Sequence, residues 1–235
     1  MRLHRFFYDF DLTKNKVLIQ DKEIIHQIKK VLRLKVDKEI FLFNNKNQEA
    51  LVKIKNFDNG MILAEILNVY EINREPQKEV NLYVAILKKE NFEIVCQKTT
   101  EIGVSNIIPI ITEYTVKLNL KYERLERIIK EAAEQSGRTK IPNILKIEKF
   151  NEVVSKVNQN DLNLLFDPQG QNFKEVLQFI STHNKINVFI GPEGGWSENE
   201  IVLTKQNNFK IVSISSLTFR AETAAQIAVF LSVYF

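Results

Sequence analysis

Five short, near-continuous apolar runs mark the later part of the chain: VNLYVAIL (80–87), NIIPII (106–111), LNLLF (162–166), INVFI (186–190) and KIVSI (210–214). A run without polar alternation suits a strand buried on both faces, as in a parallel sheet covered by helices. The segments between the runs carry helical spacing. Phe92, Val95, Thr99 and Ile102 share a face that stops at Gly103, a residue suited to a left-handed C-cap. Tyr122, Leu125, Ile128, Ile129, Ala132 and Ala133 form a second stripe that stops at Gly137. The alternation predicts an α/β domain over 80–235, with ligands at the carboxyl ends of its strands.

Before that region the style differs. RLHRFFY, EIFLFNN, EALVKIKNF and MILAEILNVYE read as short strands, with FDNG as a turn between the last two. One helix interrupts them, on the recurrence of Ile24, Ile25, Ile28, Val31 and Leu32. Residues 1–72 therefore predict a small β-barrel plugged or flanked by a helix. NREPQKE (73–79), polar and containing Pro76, reads as a linker.

The chain has 235 residues and one cysteine, so Cys96 forms no internal disulfide and no cysteine-based zinc motif exists. His4, His26 and His183 show no ligand spacing, and no metal is expected. No stretch approaches the ~18 apolar residues of a membrane span. MRLHRFFYDFD lacks the apolar core of a signal peptide, so the expected location is the cytoplasm, with no membrane partner. Residues 1–79 hold 15 Lys+Arg against 12 Asp+Glu, and residues 80–235 hold 18 against 17. This mild basic excess permits phosphate contacts without demanding them.

Three stretches could carry chemistry. GPEGGWSENEI (191–201) spends three of seven glycines within five positions. It follows a strand, and Ser197 with Glu200 has the spacing of a capping box that starts a helix. Bare backbone there allows close approach of a ligand, or simply a tight turn. No phosphate-loop signature follows, and Glu193 would repel a phosphate, so a cationic or uncharged polar ligand fits better. In SISSLTFRAETAAQIAVFLSVYF (213–235), Arg220 and Glu222 precede an apolar helix, with Thr223 and Gln226 at capping-box spacing. A helix apolar nearly all round must be buried, inside the domain or under a second subunit. In EAAEQSGRTKIP (131–142), Arg138 and Lys140 either oppose a helix dipole or contact phosphate or substrate. Trp196 would stack on a ligand or cover a helix start, and Cys96 sits among core positions.

Taken in order, EAAEQSGR, GPEGGWS and FRAETA resemble the hallmark motifs of the RsmE-type ribosomal RNA uridine-N3 methyltransferases of the SPOUT class. The opening RFF, the segment from His26 to Lys35 and QKTTEIGVSNIIPI fit the same pattern, so the resemblance spans nearly the whole chain. It implies an N-terminal PUA-like RNA-binding barrel, a C-terminal α/β domain with a trefoil knot, and a homodimer formed through that domain. It implies S-adenosylmethionine as cofactor and ribosomal RNA or the small ribosomal subunit as partner. The implied cofactor pocket has three loops. The first is Phe166, Asp167 and Pro168. The second is Gly191, Pro192, Glu193, Gly194 and Gly195. The third runs through Ile214, Ser215, Ser216, Leu217, Thr218 and Phe219 to Arg220. The third loop departs from the family's usual S-L-G-x-R-I-L-R: a serine replaces the glycine, Leu217 stands where the first arginine would, and Arg220 is retained.

On that resemblance Arg220 would hold negative charge developing on uracil oxygens, and Glu193 or Glu222 would accept the N3 proton. Arg2, Arg5, His26, Lys30, Arg33, Arg138 and Lys140 are the candidates for RNA contact. The competing reading is a non-catalytic RNA-binding or ribosome-assembly factor that keeps the pocket.

Overall fold

The computed structural model describes residues 3–11, 14–58, 60–116 and 119–235. They divide into two compact units, residues 1–75 with 133–141, and residues 76–132 with 142–235. Residues 133–141, read from sequence as part of the C-terminal domain, group with the N-terminal unit.

The N-terminal unit contains β1 (Arg5–Phe7), β2 (Lys16–Ile19), α1 (Lys22–His26), β3 (Glu39–Asn44), β4 (Gln48–Asp58) and β5 (Met61–Glu71). The sheet order is β1-β3-β4-β5-β2, with β1 parallel to β3 and the other pairs antiparallel. Sequence reasoning missed β2, whose KVLI is too short to show a clear period. Phe6 of β1 and Val17 and Ile19 of β2 join one core with residues of the three inner strands, so the sheet curls around a single interior. Ile24, Ile25 and Ile28 enter that core. Val31, expected on the same face, is 63% exposed. The cause is local: α1 passes into a π-helical turn over Gln27–Val31, with Leu32 N–H donating to Gln27 O. The extra residue in that turn rotates Val31 off the buried stripe. The β4–β5 hairpin closes where FDNG was read as a turn, with Asp58 opposite Met61; Asn59 lies outside the described residues.

The C-terminal unit contains β6 (Glu79–Ala85), α2 (Lys89–Ile102), β7 (Asn106–Ile111), most of α3 (Tyr122–Ser136), β8 (Asn143–Ile144), β9 (Glu148–Lys149), α4 (Phe150–Lys156), β10 (Leu162–Asn172), α5 (Phe173–Thr182), β11 (Lys185–Ile190), α6 (Glu198–Gln206), β12 (Lys210–Ser213) and α7 (Ala221–Tyr234). All sheet pairs are parallel, in the order β12-β10-β11-β6-β7-β8, with β9 also on β7. Each of the five apolar runs is a strand. α2 ends at Gly103, whose φ of +119° and bonds to Thr99 and Thr100 carbonyls make the expected cap. Cys96 is buried on α2, and burial pushes its thiol up to about 12, so it is a core residue and no nucleophile at neutral pH.

One device in this sheet was overlooked in the sequence. Asn163, Asn187, Asn81, Asn106 and Asn143 lie side by side on β10, β11, β6, β7 and β8. Their amides form a one-way chain: Asn143 donates to Asn106 (3.0 Å), Asn106 to Asn81 (2.7 Å), Asn81 to Asn187 (3.0 Å) and Asn187 to Asn163 (2.8 Å). Asn163 passes the last bond to the Asn158 carbonyl. A one-residue slip of any strand would move its amide to the other face and orphan buried partners. The ladder thus fixes the register in which the carboxyl ends of the strands emerge.

α7 begins at Ala221 with Arg220 as its N-cap. The capping box read at Thr223 and Gln226 is therefore not formed: Thr223 already lies in the first turn, and Gln226 donates to the Glu222 carbonyl. Ala225, Ala228, Val229, Ser232 and Val233 form the buried face, which packs on α2, β6 and β11. Phe230, Tyr234 and Phe235 remain exposed, so burial within the unit is only one-sided.

Asn187→Ala should leave Asn163 Oδ1 without its donor and Asn81 Nδ2 with only its 3.4 Å bond to Glu79, costing roughly 1–3 kcal/mol. A lowered urea midpoint for the C-terminal unit is the expected readout; an unchanged midpoint would remove the ladder's role.

Candidate active site

β12, β10 and β11 are neighbours, and the segments after their carboxyl ends enclose a cleft of about 360 Å³. That volume lies within the roughly 300–1,000 Å³ usual for small-molecule sites.

The first wall grows out of β10. β10 pairs with β12 through Phe166 opposite Val212, then leaves the ladder and rejoins it with Gln171 opposite the same Val212. Residues 167–170 bulge out between. Pro168 has no N–H to give a ladder, and Asp167 Oδ1 accepts from the Gln169 N–H at 2.8 Å, which fixes the bulge. Gly170 lets the returning chain press onto β12: a Cβ there would lie 2.5–2.7 Å from backbone atoms of Ile211 and Val212.

The second wall is Gly191–Gly195. Gly195 has φ +73°, a conformation glycine adopts freely, and its N–H donates to the Pro192 carbonyl at 2.9 Å. The predicted capping box at Ser197 and Glu200 forms and starts α6 directly behind the loop. Glu200 also accepts from Glu113 N–H at 3.0 Å, tying the loop after β7 to the same helix start. Trp196 donates from Nε1 to the Phe166 carbonyl at 3.0 Å and packs on Phe150, with ring centroids 4.9 Å apart.

The third wall is Ser213–Arg220. Ser213 Oγ donates to the Ser215 carbonyl at 2.9 Å, and Ser215 Oγ accepts from the Leu217 N–H at 3.0 Å. Serine hydroxyls thus shape a loop that has no glycine. Leu217 is 70% exposed at the cleft. Arg220 is exposed and lines the cleft, and its guanidinium has no hydrogen-bond or ion-pair partner among the described residues. It offers no side-chain cap to α7, whose first-turn residue Ala221 also lines the cleft. A free guanidinium beside an uncapped helix N-terminus favours negative charge.

Of the residues expected at the cofactor, Phe166, Asp167, Pro168, Gly191, Pro192, Glu193, Gly195, Ile214, Ser215, Leu217, Thr218 and Phe219 line this cleft. Gly194 and Ser216 do not. A Cβ on Gly194 would meet Tyr114 at 3.0 Å, so its bareness serves the packing of a neighbouring loop. Ser216 is exposed and does not reach the lining. Glu193 is exposed on the wall, whereas Glu222 is not among the lining residues and keeps one buried carboxylate oxygen without a hydrogen-bond partner among the described residues. Sequence reasoning missed Ile190, Val212, Ser213, Ala221 and Ala224, which complete the lining as ends of the elements that carry the loops.

The site and fold define a class, an α/β methyltransferase domain with a PUA-type RNA-binding unit. An RNA methyltransferase domain model matches residues 73–232, and an RNA methyltransferase PUA domain model matches residues 19–67. The ribosomal RNA small subunit methyltransferase E of Rickettsia conorii is 30% identical over 97% of this chain and 94% of its own. The same-named protein of Neisseria gonorrhoeae, solved bound to S-adenosyl methionine, superposes with a TM-score of 0.88 at 26% identity, covering 97% of this chain and 95% of that one. A candidate methyltransferase of Legionella pneumophila, solved with bound cofactor SAM, gives a TM-score of 0.90 at 29% identity, covering 99% and 97%. The chain belongs to the ribosomal RNA small subunit methyltransferase E family.

The cations expected to meet RNA fall into two groups. His26, Lys30, Arg33 and Lys140 are exposed. Arg5 and Arg138 are not. Arg5 pairs with the buried Glu49 and lies over the Phe43 ring at 4.6 Å. Arg138 is 7% exposed, and its guanidinium pairs with Glu75, which also accepts from the N–H groups of Thr139 (2.8 Å) and Lys140 (2.9 Å). These two arginines hold the folded segment 133–141 within the N-terminal unit, where sequence reasoning placed them on RNA. Their partners are far away in sequence, so spacing gave no warning. Arg2 lies outside the described residues. Burial opposes ionisation of Glu75, but the Arg138 guanidinium and the two N–H groups outweigh it and hold the carboxyl below its ordinary 4.5. A depressed folded pKa means stability present above pH 4.5 and lost as pH falls through the folded value. Glu75→Ala should cost about 1.5–3 kcal/mol at pH 7, because it removes the carboxylate that pairs with the buried Arg138 guanidinium. The gap from wild type in urea unfolding should narrow below pH 4.5; equal stability at pH 7 would contradict the assignment.

Proposed function

We propose that the protein transfers a methyl group from S-adenosylmethionine to N3 of a specific uridine in small-subunit ribosomal RNA. The observation that carries the reading is the cleft itself, three loops of exposed main chain meeting at the ends of adjacent strands with one unpaired guanidinium, in a chain of this family. The donor set fits the cofactor: apolar walls from Phe166, Ile190 and Phe219 suit an adenine ring, and the exposed carboxylate of Glu193 tolerates a cation. When bound, the cofactor supplies a methyl group already activated on a positively charged sulfur.

The protein's work is therefore to position the acceptor, exclude water and manage one proton. Holding both reactants in line can supply about 7–11 kcal/mol of the barrier. Arg220, beside the first turn of α7, stabilises negative charge on the uracil oxygens as N3 loses its proton. Glu193 faces the cleft and accepts that proton. Glu222 lies outside the lining, which leaves Glu193 as the carboxylate placed to take the proton. Drawing a stacked base into the cleft costs a few kcal/mol, and contacts of His26, Lys30, Arg33 and Lys140 with phosphates offset it. The positive φ of Arg33, +51°, closes the helix end, with Leu34 N–H donating back to the Ile28 carbonyl at 2.9 Å.

Membership of this family supports a trefoil-knotted path through the C-terminal domain, one of the exceptions to unthreaded connections. The exposed Phe230, Tyr234 and Phe235 on α7 support a homodimer that covers them. A ribosomal RNA substrate supports a cytoplasmic location.

Mapping N3-methylated uridines in small-subunit ribosomal RNA, with and without the protein, should reveal one site that depends on it. Arg220→Ala should abolish transfer while S-adenosylmethionine affinity stays within about fivefold. A full methylation map without the protein, or near-normal turnover by the variant, would contradict the proposal.

A further inference from the structure

We infer that Trp196 is a positioning residue that sets the gap between the first and second walls of the cleft, and that it does so through its indole N–H. The inference rests on the reading of the cleft as the S-adenosylmethionine site.

Trp196 follows the second loop in sequence, yet its Nε1 donates to the carbonyl of Phe166, where β10 leaves its ladder to form the first loop. This is a direct side-chain tie between two walls whose residues lie 30 positions apart. The ring also lies against the main chain of Gly191, where a Cβ would stand 3.0–3.3 Å from three indole atoms. The bare backbone at 191 therefore admits the indole as well as a ligand. Phe150, next to the indole, packs edge-on against the buried Phe189 of β11. One ring thus meets the strand end of β10, the turn after β11 and the aromatic cluster beneath both. The Phe166 carbonyl sits where the ladder opens, so a bond to it holds the start of the bulge in place. Phenylalanine would keep most of the packing and lose that bond.

Trp196 is the chain's single tryptophan, it lines the cleft and it is only half-buried. A bound molecule would replace water at the indole, so its emission should report occupancy of the cleft.

The test uses full-length protein and S-adenosylmethionine. Titration of wild type should change tryptophan emission with a midpoint equal to the calorimetric Kd. Trp196→Phe should weaken cofactor binding about five- to tenfold by calorimetry, the weight of one lost hydrogen bond. KM for the cofactor should rise in step, while kcat and KM for RNA stay within about twofold. The unfolding midpoint should move by no more than about 4 °C. Wild-type cofactor affinity in Trp196→Phe would overturn the inference. So would affinity lost only together with a collapse in thermal stability, or emission indifferent to saturating cofactor; the emission arm needs no variant to fold. Wild type that binds no S-adenosylmethionine would overturn the reading of the cleft itself.

Discussion

The close approach of Gly170 to the backbone of Val212 is the contact on which the rest of the C-terminal unit depends. β10 leaves β12 after Phe166 and returns to the same partner residue at Gln171. The return is possible only because no side chain stands at 170, where a Cβ would sit 2.5 Å from the Val212 nitrogen. Asp167 and Pro168, thrown out by this detour, join Phe166 in the first wall of the cleft without interrupting the sheet. Neighbouring ends of β11 and β12 then supply the other two. The asparagine ladder, at the opposite end of β10 and β11, holds the register that brings the first two walls together.

Each wall solves the problem of exposed backbone differently. Proline and an aspartate turn shape the first, glycines the second, and serine hydroxyls the third. The serine solution explains how the third loop can turn tightly without a glycine. Ser213 and Ser215 hold the turn, and Leu217 is left projecting at the cleft with no packing role inside the unit. Arg220 keeps its place because it is set by the start of α7, not by the loop's composition.

Much of this architecture was legible in the sequence. Strands buried on both faces leave continuous apolar runs, and helix ends leave glycines, so the five main strands and the caps at Gly103 and at Ser197 could be read directly. The dense glycines at 191–195 pointed to the cleft. What could not be read depends on distant partners. Arg5 and Arg138 look like surface cations until Glu49 and Glu75 are placed beside them. Gly194 looks like ligand space until Tyr114 is packed against it. The start of α7 was misplaced because Thr223 and Gln226 have capping-box spacing inside a helix that already runs. The asparagines were visible near the start of five of the strands, but their meaning lies in side-by-side register, which no single strand reveals.

The central claim is that one small molecule is held by main chain from three strand ends. The most direct measurement is a crystal structure of the protein grown with S-adenosylmethionine. The account predicts density for the whole cofactor enclosed by residues 166–168, 191–196 and 214–220, with Arg220 beside the methyl-bearing sulfur's open side. Density bound elsewhere on the chain, with these loops left uncovered, would contradict it.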